Sequence, residues 1–224
     1  MPATITIVSF HTPHKDSHMT ITRQTLRLIP PRRPHRLTVM CHDPGDAAGG
    51  LAVVEVEPLT GRPMVRWVLS YGVTDARLWQ RGQPLQSTSA GSLFGLLAIA
   101  PAYRGDYVGE LLRPFKGFNK GFRTLVEASG AVKHWARARG CVVSTAEPSP
   151  NDWRARVLGL RTGTAADACA ATAVAAVEGR PAPGSRYHVD LGLVEAVAPI
   201  DEHGAEAICI GLDWLGYRLE VGHG

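Results

Sequence analysis

The chain has 224 residues, enough to bury a substantial core in one domain with an extension. Its apolar content of 45% and charged content of 20% are those of an ordinary globular protein and argue against disorder. No run approaches the roughly 18 apolar residues of a membrane helix, and the net charge of +4 with a pI near 9.0 is compatible with a polyanionic partner or with a merely solvated basic surface.

Residues 1–36 differ from the rest. They hold scattered Thr, His and Pro and the cations Arg23, Arg27, Arg32, Arg33 and Arg36, and they close on Pro30-Pro31-Arg32-Arg33-Pro34. Proline at that density predicts an extended basic arm, possibly disordered or an added extension, ahead of a folded domain over 37–224. The N-terminus has no signal-peptide pattern. Cys41, Cys141, Cys169 and Cys209 form no C-x-x-C pair, which points away from zinc and redox motifs and toward a reducing, cytoplasmic setting.

From Leu37, apolar and polar residues alternate up to Asp43-Pro44-Gly45, predicting a strand that ends in a turn. Residues 49–56 and 65–69 predict two more strands of a meander, and 72–90 read as polar and irregular. The apolar run 93–100 predicts a strand covered on both faces. Spacing predicts a helix over 119–139 stopped by Gly140, and a strand over 141–145. Ser149-Pro150-Asn151-Asp152 predicts a capped helix start, and Thr164 a second one before an Ala-rich run ending at Gly179. A last helix runs from His203 to Leu215. Strands followed by alternating helices and a strand predict an α/β fold.

Asp43 stands where a strand meets a glycine turn. Taken alone, Asp-Pro-Gly is an ordinary turn. The second motif is Asp201-Glu202-His203-Gly204-Ala205-Glu206-Ala207-Ile208. His203 and Glu206 lie three apart, on one helical face. A solvated first turn accounts for Asp201 and Glu202 through the helix dipole. It accounts poorly for Glu206, which is set among apolar residues and is costly to bury unless something binds it.

These motifs together resemble the RuvC family of RNase H-like nucleases. That family opens with a strand, Asp-Pro-Gly and a Gly-rich strand, here Val39 to Gly45 and Gly49 to Val54. It closes on a helix like His203 to Leu212. Ala138 to Val143 and Pro148 to Arg154 resemble its central helix–strand–Pro-x-x-Trp passage. The resemblance covers about Leu37 to Leu219. It implies a mixed β-sheet, first three strands antiparallel and the rest parallel, flanked by helices. It implies an Mg²⁺-dependent crossover junction endodeoxyribonuclease of DNA recombination and repair, cytoplasmic, bacterial or phage-encoded, and acting as a homodimer on branched DNA such as Holliday junctions. Asp43, His203 and Glu206 would be its catalytic metal ligands, with Asp43 bridging two Mg²⁺ ions about 4 Å apart and Mn²⁺ as a substitute. Glu206 stands where the family usually has Asp.

The family also carries a glutamate at the end of a central strand. Aligning Leu97-Ala98-Ile99-Ala100-Pro101 there puts Ala100, which has no oxygen to offer, at that catalytic position. Three explanations stay open: an engineered Glu-to-Ala inactivation, which is preferred; replacement by Asp106 or Glu110; or a natural, binding-only relative. Tyr103, Arg104, Tyr107, Arg113, Phe115, Lys116, Phe118, Lys120 and Arg123 interleave aromatics with cations, as a DNA-contacting segment does, although a loop packing its aromatics on the core has the same composition. Asn119, Trp135 and Trp153 read as structural, and His42 as a surface residue. Asp213 lies roughly 10 Å along the helix from Glu206, too far to share a metal pair. A non-catalytic junction-binding module is the alternative, and an actin-like or sugar-kinase-type phosphotransferase a remote one.

Overall fold

The computed structural model describes residues 4–9, 22–29, 37–45, 48–72, 75–88, 97–112, 120–180, 189, 191, 193 and 201–221. The first two strands, β1 (Thr4–Ser9) and β2 (Thr22–Ile29), lie in the stretch expected to be a tether. They pair antiparallel, and β2 also pairs with the last strand, β10 (Arg218–Val221), giving a three-stranded sheet. The β-branched and apolar residues of these two segments favour strand. The prolines that suggested a tether, Pro13, Pro30, Pro31 and Pro34, fall outside both strands.

The main sheet begins with β3 (Thr38–Asp43), β4 (Gly49–Val56) and β5 (Pro63–Tyr71), an antiparallel meander. Two short strands extend its edge, β6 (Ala76–Gln80) and β7 (Gln86–Thr88), in the stretch read as irregular. On the other side of β3 lie β8 (Asp106–Gly109) and then β9 (Val142–Val143), both parallel. The order is β7-β6-β5-β4-β3-β8-β9. This is the mixed α/β sheet the resemblance implied, with antiparallel strands added at one edge.

The run expected to be the strand before β9 is not one: residues 97–99 form a helical turn, and 93–96 lie outside the described residues. The place beside β3 goes to β8, which contributes only Tyr107 and Val108 as apolar residues, between Asp106 and Gly109. Four residues with one apolar pair give no legible periodicity.

Helices cover both faces. α1 (Lys120–Ala138) packs Val132 and Ala136 against Met40, Leu51, Val53, Leu69 and Tyr107. The opposite face, Val39, Cys41, Ala52, Val54 and Val108, is covered by α4 (Glu202–Trp214), with α2 (Pro150–Leu158) and α3 (Ala166–Val177) beyond it. Alternate residues of β3 thus enter two separate cores, as period-2 geometry requires. α4 lies between sheet and helices, which is why Ala205 to Ile210 is buried all round, the carboxylic Glu206 included.

The helix ends are set locally. Ser149 Oγ accepts from the Asp152 amide at 3.3 Å with Pro150 at the first helical position, and Gly159 closes α2 in the left-handed region at φ 66°. Asp201 Oδ1 caps α4 through the Gly204 amide at 2.9 Å. The second cap differs from expectation. α3 starts behind Ala165, which offers no side-chain cap, while the Thr164 hydroxyl donates to the Arg161 carbonyl at 2.7 Å.

α4 approaches β4 closely because Gly50 has no side chain. A Cβ there would lie 2.2 Å from the His203 carbonyl oxygen, whereas one at Gly130, on the exposed side of α1, would meet nothing within 4 Å. Gly50→Ala is therefore expected to lower unfolding free energy by about 1–3 kcal/mol through overpacking. Gly130→Ala should raise it by about 0.5–1 kcal/mol through helix propensity. Denaturant midpoints of the two variants check both signs.

Candidate metal centre

β3 and β8 run parallel, with His42 opposite Gly109, so the next residues, Asp43 and Glu110, leave the sheet side by side. The Glu110 amide still donates to the His42 carbonyl at 3.1 Å. Asp43 also pairs with Gly50, the residue on which the start of α4 sits. That close approach brings His203 to Asp43, with Nδ1 2.8 Å from Oδ2. One turn further, Glu206 faces α2 and accepts from Arg154 Nη2 at 3.0 Å. Beside it, Trp153 Nε1 donates to Glu110 Oε1 at 2.6 Å. Three carboxylates and an imidazole thus gather at one end of the sheet from three separate segments, the end of β3, the end of β8 and the start of α4.

All three carboxylates are buried, at 5%, 8% and 8% exposure for Asp43, Glu110 and Glu206. Burial raises the Glu110 carboxyl to about 8, and the charges of Asp43 and Glu206 push the same way, against the Trp153 hydrogen bond and Arg154. Burial likewise raises Glu206 to about 7, with Asp43 adding and Arg154 and His203 opposing. His203 is raised mainly by its hydrogen bond to Asp43. Among the described residues, no group of three or more acidic, His or Cys side chains is placed to hold one ion together; Arg154 engages Glu206 and Trp153 engages Glu110.

Glu110, one of the alternatives to position 100, is the glutamate that stands beside Asp43. Ala100 follows a helical turn, not a strand, and its carbonyl accepts from Arg139 Nη1 at 3.3 Å. Asp106, the other alternative, opens β8 at the far end from Glu110. The sequence offered Glu110 only as an alternative, because the position was sought on an apolar strand and the aromatic–cation pattern around β8 read as a DNA-contacting segment or a loop.

That pattern divides. Tyr107 is fully buried, and Tyr103 is 6% exposed with its hydroxyl donating to the Asp106 carbonyl at 3.2 Å, so neither is on the surface. Arg104 and Arg123 are exposed, the latter paired with Glu127 at 2.8 Å. Lys120 opens α1. Arg113, Phe115, Lys116, Phe118 and Asn119 lie outside the described residues.

His42 is not at the surface. It is fully buried, with Nδ1 2.9 Å from the Tyr107 hydroxyl and Nε2 2.9 Å from the Tyr71 hydroxyl. Burial, with Lys133 nearby, lowers it to about 3 and keeps it neutral. Trp153, read as structural, is fully buried and also holds Glu110. Trp135 Nε1 donates to the Leu97 carbonyl at 3.1 Å. Asp213 stands apart, bound to Arg156 through both oxygens at 2.7 Å. Beside His203 opens a cavity of about 390 Å³, lined by Ser70, Tyr71, Asp75, Arg77, Asp201 and Glu202 among others.

No protein-family model and no curated relative matches the chain. Among solved structures it is similar to T. thermophilus RuvC in complex with a Holliday junction substrate, with a TM-score of 0.44 and 19% identity over 82% of this chain and 100% of that one. It is also similar to a second Thermus thermophilus RuvC structure, with a TM-score of 0.43 and 22% identity over the same shares. Likeness of this degree assigns no residue a role. Among the described residues no helix is long and apolar enough to cross a membrane.

The buried acids set a pH dependence. Unfolded, Glu110 and Glu206 release their protons near 4.5, but folded they keep them to about 8 and 7. The unfolded chain then binds fewer protons through that window, so stability falls as pH rises. His203, raised from 6.5, acts with the same sign above that pH. His42 acts oppositely, since only the unfolded ring protonates between 6.5 and about 3, so stability also falls as pH drops there. In chelator, the melting temperature is expected to decline between about pH 6.5 and 8, and Glu110→Gln to flatten that decline. An unchanged slope in the variant contradicts the assignment.

Proposed function

We propose that this chain is a structure-selective endonuclease of the RuvC type, cutting branched DNA such as four-way junctions by metal-assisted phosphodiester hydrolysis. The observation that carries this reading is the meeting of Asp43, Glu110, Glu206 and His203 at the shared end of two parallel strands. The donor set fits a hard divalent cation, Mg²⁺ or Mn²⁺: carboxylate oxygens with one imidazole nitrogen. The proton affinities of Glu110 and Glu206 are raised by burial first and by the charge of Asp43 second, and Arg154 opposes both without cancelling them. Asp43, Glu110, Glu206 and His203 would hold the cation, or a pair of them.

A divalent ion held by these residues would supply an activated water and charge stabilisation for the departing 3′-oxygen. The chain's own groups set the stage for that chemistry. Asp43 fixes the His203 ring through Nδ1, leaving Nε2, 3.8 Å from Glu202, for a ligand or a proton. Trp153 holds Glu110 against the strand end. Glu110 and Glu206, protonated near neutrality, must lose protons when a cation binds, so cation affinity rises with pH. Exposed Arg104 and Arg123 contribute phosphate contacts in this reading, and two subunits give the paired nicks a symmetric junction requires.

A labelled four-way junction with Mg²⁺ is expected to yield paired symmetric nicks. Asp43→Asn and Glu110→Gln should each slow cleavage by at least about a hundredfold, beyond what losing an outer partner of a ligand costs. Ala100→Glu should bring no gain. A junction left intact by the wild type in both Mg²⁺ and Mn²⁺ overturns the reading.

A further inference from the structure

The side chain that meets Glu206 is not a neutral donor but a permanent cation. Arg154 sits on α2 with Nη2 3.0 Å from Glu206 Oε1 and its guanidinium carbon 5.1 Å from the centre of the Trp153 ring. Trp153 in turn binds Glu110, so the half-buried arginine and two of the three buried carboxylates form one connected unit. The fit is incomplete: Arg154 Nε is buried without a hydrogen-bond partner. An arginine held by one hydrogen bond, with a desolvated donor left over, gives up its place at less cost than a bidentate pair. A divalent cation entering the same cluster meets this positive charge at close range in a poorly screened site.

We propose that Arg154 is the resident counter-cation of the carboxylate cluster, and that a divalent ion binds only by displacing its guanidinium from Glu206. This rests on the metal-centre reading above. Arg154 thereby keeps the buried carboxylates compensated before an ion arrives, and its competition sets the affinity of the site. The hinge of the exchange is the side chain alone, since α2 is anchored by the Ser149 cap and by Trp153, Val157 and Leu158 in the core.

The test uses the full chain and Mn²⁺ alone, with affinity read by calorimetry and the melting temperature measured in chelator. Arg154→Gln is expected to melt below the wild type in chelator yet bind Mn²⁺ about tenfold more tightly or better, because the like charge is gone. Unchanged or weaker Mn²⁺ binding by a folded Arg154→Gln overturns the proposal. Should that variant not fold, the wild type decides by nitrogen NMR of the arginine side chains under Mg²⁺ titration. The Arg154 guanidinium signals are expected to shift as the site saturates, and signals that stay put while Mg²⁺ binds overturn the exchange. A wild type that binds neither ion removes the metal-centre reading itself, a separate result.

Discussion

Asp43, Glu110 and Glu206 lie within a region where each is less than a tenth exposed, and each of the two glutamates is pushed toward its protonated form by the charge of Asp43. A buried carboxylate without compensation costs several kcal/mol, and neighbouring ones add repulsion. The surroundings read as answers to that cost. His203 gives Asp43 a hydrogen bond and a proton it holds to higher pH than usual. Arg154 gives Glu206 a full charge, and Trp153 gives Glu110 an N–H. Among the described residues, buried carboxyls with raised proton affinity gathered in this way mark a candidate functional site.

The scaffold delivers this cluster through backbone geometry more than through loops. Parallel pairing of β3 with β8 makes their last residues neighbours without any turn having to aim them. The close seat of α4 on Gly50 then fixes the helix start relative to Asp43, because Gly50 is the ladder partner of Asp43 itself. Burial of α4 on all sides removes its freedom to roll, so His203 and Glu206 keep one face toward the strand ends. Two independent registers, strand to strand and helix to strand, therefore meet at the same residue.

Much of this was legible in the sequence, and what was missed has a physical explanation. β3, β4, β5, α1, α2 and α4 have long apolar patterns with clear caps or turns, and such patterns dominate local structure. Asp43, His203 and Glu206 were found because charged groups next to apolar runs stand out. Glu110 was named only as a fallback, since β8 takes its stability from being sandwiched between β3 and β9, a tertiary fact with no periodic signal in four residues. The same cause misplaced Tyr107, which reads as a surface aromatic among cations yet belongs to a central strand. Arg154 was invisible as a partner because its contact with Glu206 spans 52 positions and two helices.

Behind the charged end of the sheet lies a layer of opposite character. His42 precedes Asp43 and so points to the other face, where both its ring nitrogens are taken by phenols, Tyr107 on β8 and Tyr71 on β5. Tyr71 reaches across β4 only because Gly49 lies in its way without a side chain; a Cβ there would stand 2.2 Å from the hydroxyl. Burial raises both tyrosines and lowers the histidine, so all three stay neutral wherever the protein is folded. A neutral imidazole has one donor and one acceptor, which matches one phenol accepting and the other donating, with no charge left to compensate. The chain thus ties three strands together directly beneath its most charged residue without adding to the electrostatic load there. A protonated His42 would help to neutralise Asp43, but it would put a desolvated cation in the core, and with both ring nitrogens donating, the phenol O–H that the neutral ring accepts would lose its acceptor. The site's charges are left to be balanced from α2 and α4, by Arg154 and His203.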